Sequence, residues 1–436
     1  MLRVRVILEA QGPLLLGDGL PTGNVQSSRL FIAGSVLRGT LAKAILAPLG
    51  LWRHSGYAVR ESPPPEPFRR IFLGESPARF GFLYPVRLTG DRAEDCEAFP
   101  LPLTAMSCKA HRGFRSDGGH GVFDQLLGRL RRVAGGGNAS QGLCPTCKKR
   151  LDRMRGFALR QEAGDPSTYR GVKVHHRAFV RVGLNRLTET AEERILYTLE
   201  ALVPGFAGDG PTPSEGEYAE PPLSFVGYWT LSEKQWADLR ELLRRYLPAD
   251  DGNRYPLRIG SARARGMGRV RLHWVEGQTA FPSLEQRLER FQPRGPDGQP
   301  VDPKHLYFAL TLRSPLLLYD GLGRPTTRAT QEVLAAYAST VPTGLEMLPA
   351  SVVEQEPWTG WSAAWGLPKP IVPVITAGSV LAFRAPAAER EPVIAFLREV
   401  EEEGLGERRA EGWGEVVACD PFHETFDQMN RSGGDQ

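Results

Sequence analysis

The sequence predicts an α+β protein that contains two similar domains in tandem. Its 436 residues exceed what one ordinary hydrophobic core organises. Apolar and charged residues alternate from Leu2 to Val6, which is typical of a half-buried strand. Three sequence segments recur in the same order in both halves of the chain, and their long period favours two domains over a solenoid.

The repeated segments combine strands, turns and glycine loops. They are GPLLLGDG at 12–19 with SPLLLYDG at 314–321, IAGSVL at 32–37 with TAGSVL at 376–381, and GSARARGMGRV at 260–270 with GERRAEGWGEV at 406–416. Each leucine triplet is expected in the core. Asp18 and Asp320 each precede a glycine, which favours a role in turns over acid catalysis.

The second repeated segment continues differently in the two halves. After Ser35, apolar residues at helical spacing predict a helix, with Ser35 as its N-cap and Arg38 nearby. This arrangement offers a helix N-terminus to an anion. After Ser379 the residues alternate and reach Pro386, which predicts a strand, so only the first copy is expected to bind an anion here.

The glycine loop at 260–271 is predicted to contact RNA. Glycine permits positive φ and close backbone approach, while arginine donates forked hydrogen bonds to phosphate, a combination that suits an RNA backbone. The residues expected to do so are Arg258, Gly260, Arg263, Arg265, Gly266, Gly268 and Arg269. The alternative is a structural turn on a solvated basic face. The loop is not a Walker loop or a dinucleotide fingerprint, because a strand is expected to follow it.

The corresponding loop at 406–414 carries more acidic residues. Glu407, Glu411 and Glu415 offset Arg408 and Arg409. Trp413 could stack a nucleotide base or belong to the core. We favour a structural role for this second loop.

Residues 96–160 predict an insert with a zinc site. The motifs Cys108-Lys-Ala-His111 and Cys144-Pro-Thr-Cys147 have the ligand spacing of zinc knuckles, and the loop-rich sequence between them would need a metal to fold. The predicted ligands are Cys108, His111, Cys144 and Cys147, with His120 or Cys96 as alternatives to His111. The competing interpretation is a set of ordinary thiols. A redox Cys-x-x-Cys motif is not expected, because no thioredoxin-like strand and helix surround it.

The densest basic region of the chain surrounds these motifs. It comprises Lys109, Arg112, Arg115, Arg129, Arg131, Arg132, Lys148, Lys149, Arg150, Arg153 and Arg155. These side chains either touch RNA or form a solvated surface, and the sequence favours neither.

His175 and His176 are the catalytic alternative. Adjacent residues of a strand point to opposite faces, so one histidine could act as a general acid or base in RNA cleavage. A histidine beside an RNA path, without a catalytic role, is the interpretation we favour. We therefore assign no catalytic residue.

Composition sets the remaining limits. Lys and Arg number 54 against 50 Asp and Glu, a formal net charge of +4, so any nucleic-acid site must be a local basic patch. No apolar run approaches the ~20 residues that cross a bilayer, and the amino terminus does not resemble a signal peptide. The 5 cysteines do not suggest a disulfide scaffold, and we expect a cytosolic protein.

The repeated motifs resemble those of CRISPR-associated RAMP proteins. GPLLLGDG at 12–19, IAGSVLRGTL at 32–41, NRLTETA at 185–191 with LYTLE at 196–200, and the 260–268 loop carry the resemblance. The second-half pair, AGSVL at 377–381 and GERRAEGWG at 406–414, most resembles the Csx-ten family, the Cas-five-like subunits of type III-D effector complexes.

The resemblance implies a fold and a function. It implies two tandem ferredoxin-like (RRM-like, βαββαβ) domains that bind the 5′ tag of CRISPR RNA, next to a large polymerase-like subunit and backbone RAMP subunits. It gives an RNA-contact role to Ser35 and Arg38 as well as to the 260–268 loop. The expected boundaries are 1–275 for the first domain, 276–304 for a linker, 305–424 for the second domain and 425–436 for a flexible tail. The rival is a Cas-six-like endoribonuclease using His175 or His176.

Overall fold

A computed structural model describes residues 1–17, 24–52, 63–87, 96–135, 142–161, 165–185, 187–205, 223–250, 254–276, 281–295, 297–362 and 366–427. The chain divides into two compact units. Unit 1 comprises Met1–Asp95, Lys173–Gln278 and Trp358–Val372, and unit 2 comprises Cys96–Val172, Thr279–Pro357 and Pro373–Gln436.

Strands outnumber helices in the described parts of the chain. The helices are α1 Gly34–Leu46, α2 Glu66–Phe72, α3 Leu126–Val133, α4 Glu233–Tyr246, α5 Leu284–Arg290, α6 Gln331–Leu334, α7 Arg390–Glu403 and α8 Pro421–Thr425. The strands are β1 Leu2–Ala10, β2 Val25–Gln26, β3 Arg79–Phe80, β4 Tyr84–Arg87, β5 Glu97–Pro100, β6 Ala105–Cys108, β7 Val122–Asp124, β8 Leu151–Arg153, β9 Phe157–Arg160, β10 Arg170–Val172, β11 His176–Leu184, β12 Ala191–Leu202, β13 Leu223–Leu231, β14 Tyr255–Arg258, β15 Arg269–Val275, β16 His305–Leu312, β17 Leu318–Tyr319, β18 Pro325–Thr326, β19 Glu346–Met347, β20 Gln355–Trp358, β21 Trp361–Ser362, β22 Leu367–Pro368, β23 Val372–Ile375, β24 Val380–Pro386 and β25 Val416–Ala418.

The main sheet of unit 1 is antiparallel. Its order is β14, β15, β1, β13 and then β3, with β4 also paired to β13. Val4, Val6 and Leu8 share one face of β1 because strand side chains alternate, and they are buried in one cluster with side chains of α1, α2 and α4. The alternation read in the first residues therefore does mark a strand.

A long ribbon leaves this sheet. Strands β11 and β12 pair antiparallel, and β12 also pairs with β2. Leu199 and Ala201 of β12 are buried together with Leu15 and with Met267 of the glycine loop. The apolar contacts at its base thus join the ribbon to the loop that the sequence singles out.

The main sheet of unit 2 repeats the same arrangement. Its order is β19, β24, β16 and β25, and all three pairings are antiparallel. Strand β16 lies between β24 and β25 as β1 lies between β13 and β15, and α7 follows β24 as α4 follows β13. The prediction of an α+β protein is confirmed.

One repeated segment does not occupy equivalent positions. IAGSVL at 32–37 leads into α1, whereas TAGSVL at 376–381 leads into β24, the counterpart of β13. The strand predicted after Ser379 is present. In chain order the counterpart of α1 is the short helix α6. The first helix of the second half is therefore shortened, and the strand after Ser379 does not replace it.

The predicted insert packs with the carboxy-terminal sheet. Leu126, Leu127 and Leu130 of α3 are buried in the same cluster as β16 and β24. The insert interrupts the first half along the chain, but its apolar helix face is buried in unit 2. A buried ionic network reinforces this: Arg160 contacts Glu97 at 2.6 Å and Asp420 at 3.3 Å.

Two segments at the edges of the predicted domains are more ordered than expected. The predicted linker at 276–304 contains α5, whose Leu288 is buried. In the predicted tail at 425–436, Phe426 and Asp427 are buried, and 428–436 lie outside the described residues. In the described parts of the chain, no helix has both the length and the apolarity that crossing a membrane requires.

Candidate functional site

The two glycine loops adopt the same backbone path. Gly260, Gly266 and Gly268 have φ of 73°, 86° and 86°, and their counterparts in the second loop, Gly406, Gly412 and Gly414, have 78°, 80° and 69°. Each loop also contains a short 3-10 helix, between Ala262 and Gly266 in the first and between Arg408 and Gly412 in the second, and both preceding residues have positive φ. The duplication proposed from the sequence is therefore a duplication of conformation.

Each loop is held against its leucine triplet by the same hydrogen bonds. In the first half, the amide of Ser261 donates to Leu15 O and the amide of Gly268 donates to Pro13 O. In the second half, the equivalent donors are Glu407 to Leu317 O and Gly414 to Pro315 O. The triplet and the loop thus form one structural unit, which explains why they recur together.

Close backbone approach requires two of the glycines. A Cβ atom at Gly260 would lie 2.4 Å from Leu15 O, and one at Gly268 would lie 2.2 Å from Ile259 O. Gly266 has nothing within 4 Å of its Cβ direction, so only its positive φ favours glycine. The loop backbone is fixed by local packing, whatever it binds.

The arginines of the first loop differ in their freedom to bind. Arg258, Arg265 and Arg269 are exposed, and Arg263 is half-buried. Arg258 donates to the carbonyl oxygen of Arg263 at 2.9 Å, which joins the end of β14 to the 3-10 helix of the loop. The loop therefore presents several guanidinium groups on a rigid backbone.

An aromatic side chain of the ribbon extends this basic surface. The guanidinium of Arg265 lies 5.2 Å from the ring centre of Tyr197, and Tyr197 is half-buried beside the loop. The guanidinium groups of Arg177 and Arg181 lie 5.8 Å and 6.0 Å from the ring centre of Phe179. The sequence reading missed these pairs, although alternating arginine and aromatic residues in β11 could have indicated them.

The helix start does not have the predicted cap. The N-cap of α1 is Ala33, whose methyl side chain makes no capping hydrogen bond. The helix starts after this residue because Ile32 still pairs with Leu83 as extended chain. Ser35 lies in the first turn instead. Arg38 donates to the carbonyl oxygen of Phe72, at the end of α2, so its charge is directed to that helix end rather than to the start of α1.

The tryptophan of the second loop is buried. Trp413 is 2% exposed, with Arg408 over its ring at 4.8 Å, and so it belongs to the core. The equivalent residue Met267 is also 2% exposed. Asp320, the counterpart of Asp18, forms a turn with Arg324, whereas Asp18 lies outside the described residues.

The two histidines stand at the start of the ribbon. His176 is exposed and His175 is half-buried, and the carbonyl of His175 accepts from the amide of Val203. Only His176 belongs to β11, so the two histidines are not neighbours within one strand as the sequence suggested.

Cysteines and histidines of the insert converge in unit 2. Donor atoms of Cys108, His111, His120 and Cys147 lie within 4.8 Å of one another. Cys144 also lies against this group, because its Sγ atom is 3.6 Å from Nδ1 of His120. The cluster could hold a metal ion, and it includes all four predicted ligands together with the alternative His120. Cys96 is buried elsewhere.

The spacing of the donor atoms fits a tetrahedral metal. Zinc bonds of ~2.3 Å to sulfur and ~2.05 Å to nitrogen imply edges of about 3.8 Å between sulfurs and about 3.6 Å between sulfur and nitrogen. The Sγ atoms of Cys108 and Cys147 are 3.5 Å apart, and the Cys144–His120 separation is 3.6 Å. The three cysteines and His120 therefore form a compact four-donor set.

Backbone amides point at the sulfur atoms. Burial raises the pKa of Cys108, but hydrogen bonds from the His111 amide and from the Cys147 thiol lower it below its ordinary value. Burial likewise raises the pKa of Cys144, and the amide of Cys147 and the ring of His120 lower it. The amide of Lys149 lowers the pKa of Cys147, but its partial burial and the two neighbouring thiols raise it overall. Thiolates packed this closely repel each other, and a bound cation relieves that repulsion.

His111 and His120 differ in their exposure. The rings of His111 and His120 stack, with centres 4.0 Å apart and planes at 20°. His120 is half-buried and His111 is exposed. The geometry therefore favours His120 over His111 as the nitrogen ligand.

Comparisons with known proteins identify no family. No protein-family model matches the sequence, and no curated protein matches it. Among solved structures, the chain is similar to one in type III-B Cmr-beta bound to cognate target RNA and AMPPnP, at 12% identity over 87% of this chain and 86% of that one, with a TM-score of 0.40.

Two further structures show a similar likeness. One is a CRISPR associated protein Cas6, at 7% identity over 95% of this chain and 98% of that one, with a TM-score of 0.31. The other is oligomeric Cmr4 from Pyrococcus furiosus, at 13% identity over 64% of this chain and 99% of that one, with a TM-score of 0.24. Identities and TM-scores this low carry no argument about function.

Proposed function

We propose that this protein is a non-catalytic subunit that binds CRISPR RNA in a type III-D-like effector ribonucleoprotein. The observation that carries the proposal is the first glycine loop. Arg258, Arg265 and Arg269 are exposed there on a backbone fixed by Gly260 and Gly268. A fixed loop backbone and the planar fork of each guanidinium suit phosphate, because less conformational entropy is lost per hydrogen bond formed.

The motif resemblance supplies the rest of the proposal. We assign each unit's main sheet to a ferredoxin-like RAMP domain of the Csx-ten type. In unit 2 the elements β16, α6, β19, β24, α7 and β25 follow the order β-α-β-β-α-β, and unit 1 adds further strands to it. The RNA segment bound is the 5′ repeat-derived tag, and the protein partners are the large polymerase-like subunit and the backbone RAMP subunits. The second loop is less basic and its tryptophan is buried, so the second domain is assigned to positioning or docking.

Salt-dependent RNA binding tests the loop. The purified protein is titrated with single-stranded RNA carrying the repeat-derived tag, across a series of salt concentrations. The variant is Arg263→Ala, Arg265→Ala and Arg269→Ala together. Each lost phosphate contact lowers the slope of log affinity against log salt by about 0.7 for a single strand, so a drop of about 2 is expected.

A matched control removes the same charge elsewhere in unit 1. Lys234, Arg244 and Arg245 are exposed on or beside one face of α4, and their joint change to alanine should leave both the affinity and the salt slope near wild type. Equal binding by wild type and the loop variant would overturn the role of the loop.

The rival activity is endoribonuclease cleavage. His176 is exposed at the base of the ribbon, which is the specific observation that keeps this alternative. A general acid or base must reach the scissile phosphate, and an exposed histidine could do so. The scaffold proposal predicts no cleavage of repeat RNA.

We further propose that the Cys/His cluster binds structural zinc. Its ligands are Cys108, Cys144, Cys147 and His120, with His111 stacked on the His120 ring rather than ligating as first predicted. A closed four-coordinate site of this kind stabilises its surroundings and leaves no position for a substrate. Metal analysis of the purified chain should find about one zinc per chain, and a chain without stoichiometric metal would overturn the assignment.

A further inference from the structure

The metal-ligand loops of the insert present an unbalanced positive charge. Lys109 follows Cys108, and Lys148 and Lys149 follow Cys147; all three lysines are exposed. Among the residues that the structure describes, no carboxylate pairs with any of the three. The nearest ion pair on these loops joins Arg150 to Asp152 at 3.7 Å, which leaves the lysines themselves uncompensated.

The backbone holds these lysines together. The amide of Lys109 donates to the carbonyl of Arg150, and the amide of Cys144 donates to the carbonyl of Lys149. Lys148 has a φ of 59°, which a residue with a side chain adopts only when its surroundings fix it. Its amide in turn donates to Cys144 O. The three lysines therefore belong to two adjoining loops, and both loops carry the cysteines of the cluster.

We propose that these loops form a second nucleic-acid contact, in which Lys109, Lys148 and Lys149 bind backbone phosphates of a single-stranded RNA. Lysine ammonium groups bind phosphate as point charges without reading the base. The contact lies in unit 2, whereas the basic glycine loop lies in unit 1. It rests on the proposed metal site and on the proposed RNA function, to which it adds a separate set of residues.

A nucleic acid fits this surface better than a lipid surface does. Peripheral membrane binding by a few basic residues also requires apolar side chains that enter the bilayer or a lipid anchor. Among the described residues of the insert, Leu143 is the one large hydrophobic side chain that is strongly exposed, at 42%. The loops therefore offer charge with little apolar surface, which is the pattern of a phosphate-backbone contact.

The contact depends on metal because the loops do. Without a metal, the three thiols and two imidazoles around it share no covalent link, and few apolar side chains pack beneath the loops: Phe123, Leu151 and Met106 are the hydrophobic neighbours of the cysteines. Metal binding in such segments is folding free energy. Loss of the metal should therefore disperse the lysines and weaken the phosphate contact, while the glycine loop is unaffected.

The test removes the three charges without touching a ligand. The variant is Lys109→Gln, Lys148→Gln and Lys149→Gln, and the probe is a fluorescent oligouridylate. The charge-matched control is Lys304→Gln, Arg328→Gln and Arg290→Gln, all exposed residues of the same unit. The lysine variant should lower the salt slope by about 2, at about 0.7 per contact, and the control should match wild type.

Chelation gives a second, independent measurement. Metal-stripped wild-type protein should show the reduced slope of the lysine variant, and one equivalent of zinc should restore it. A full slope after stripping would overturn the dependence on metal. An unchanged slope in the lysine variant would overturn the contact itself.

The outcomes separate this contact from the function proposed above. If wild type binds RNA and only the glycine-loop variant weakens it, this contact fails and the proposed function stands. If wild type binds no RNA, both fail. If the lysine variant loses binding to phosphatidylserine vesicles and keeps RNA binding, the surface is a membrane contact and the proposal is overturned.

Discussion

Nδ1 of His120 lies 3.6 Å from Sγ of Cys144, the separation that two ligands of one tetrahedral zinc would have. His111, which the Cys-x-x-His spacing suggested as the fourth ligand, stacks on the His120 ring. The relation between these residues is what sequence spacing could not supply: His120 is 12 residues beyond Cys108 in the chain, and only the folded insert brings it to the cysteines.

The identity of the fourth ligand predicts a difference between two histidine variants. His120→Ala should weaken zinc binding at least as much as the loss of a ligand's hydrogen-bonding partner does, which is about 10- to 100-fold, because it removes a direct ligand. His111→Ala should retain near wild-type affinity. Competition with a chromophoric chelator measures both, and cobalt substitution reports the number of thiolate ligands. The opposite order of affinities would assign the site to His111.

The glycine loops show how far local sequence can lead. The pattern of three glycines predicted positive φ and close approach, and both loops have this conformation. The leucine triplets were expected in the core, and Leu14 and Leu316 are fully buried. These features depend on contacts within one short motif, so the motif alone carries the information.

Features that depend on distant partners were harder to predict. Gly34 and Gly378 stand in the same pentapeptide, AGSVL, yet Gly34 begins a helix while Gly378 has a φ of 85° and packs on Leu101 O. Similarly, the leucines of α3 could have filled either core, and nothing in their spacing indicates that they pack with β16. Identical local sequences take different structures because their tertiary neighbours differ.

Two neighbouring glycines of the first loop should differ in their tolerance of alanine. Gly266→Ala meets open space and incurs only the left-handed penalty, about 1–2 kcal/mol. Gly268→Ala incurs the same penalty and also forces a Cβ to within 2.2 Å of Ile259 O, so its loss of stability should be clearly larger. Urea unfolding of the two variants measures the difference. Equal losses would mean that the loop relaxes freely at Gly268.

The scaffold proposal predicts that repeat RNA survives incubation with the protein. Neither His175 nor His176 is assigned a catalytic role, so His175→Ala and His176→Ala should leave the RNA as intact as wild type does. The measurement is gel analysis of end-labelled repeat RNA without added metal. Site-specific cleavage by wild type that disappears in either variant would establish the endoribonuclease instead.

The buried carboxylate of Asp420 predicts an acid-sensitive contribution to the stability of unit 2. Its oxygens lie 2.6 Å from Arg313 and 3.3 Å from Arg160. Burial by itself raises the pKa of Asp420, but Arg313 and then Arg160 hold it well below the usual range. Because the folded pKa is depressed, the stabilisation is present above the unfolded pKa near 4 and is lost as the pH falls below it.

Asp420→Asn tests this relationship, because it keeps the shape of the side chain and removes its charge. It removes a buried carboxylate that contacts Arg313 and Arg160, of which Arg160 keeps Glu97, and should cost about 3–5 kcal/mol of unfolding free energy at neutral pH. The difference between wild type and the variant should shrink progressively below about pH 4, since the carboxyl group of the unfolded wild-type chain takes up a proton there while the folded one stays ionised to lower pH. Denaturant unfolding at several pH values measures it, with Glu391→Gln, an exposed residue of α7, as the control that should cost little. A difference that stays constant into acid would mean that Asp420 stabilises unit 2 through packing rather than charge.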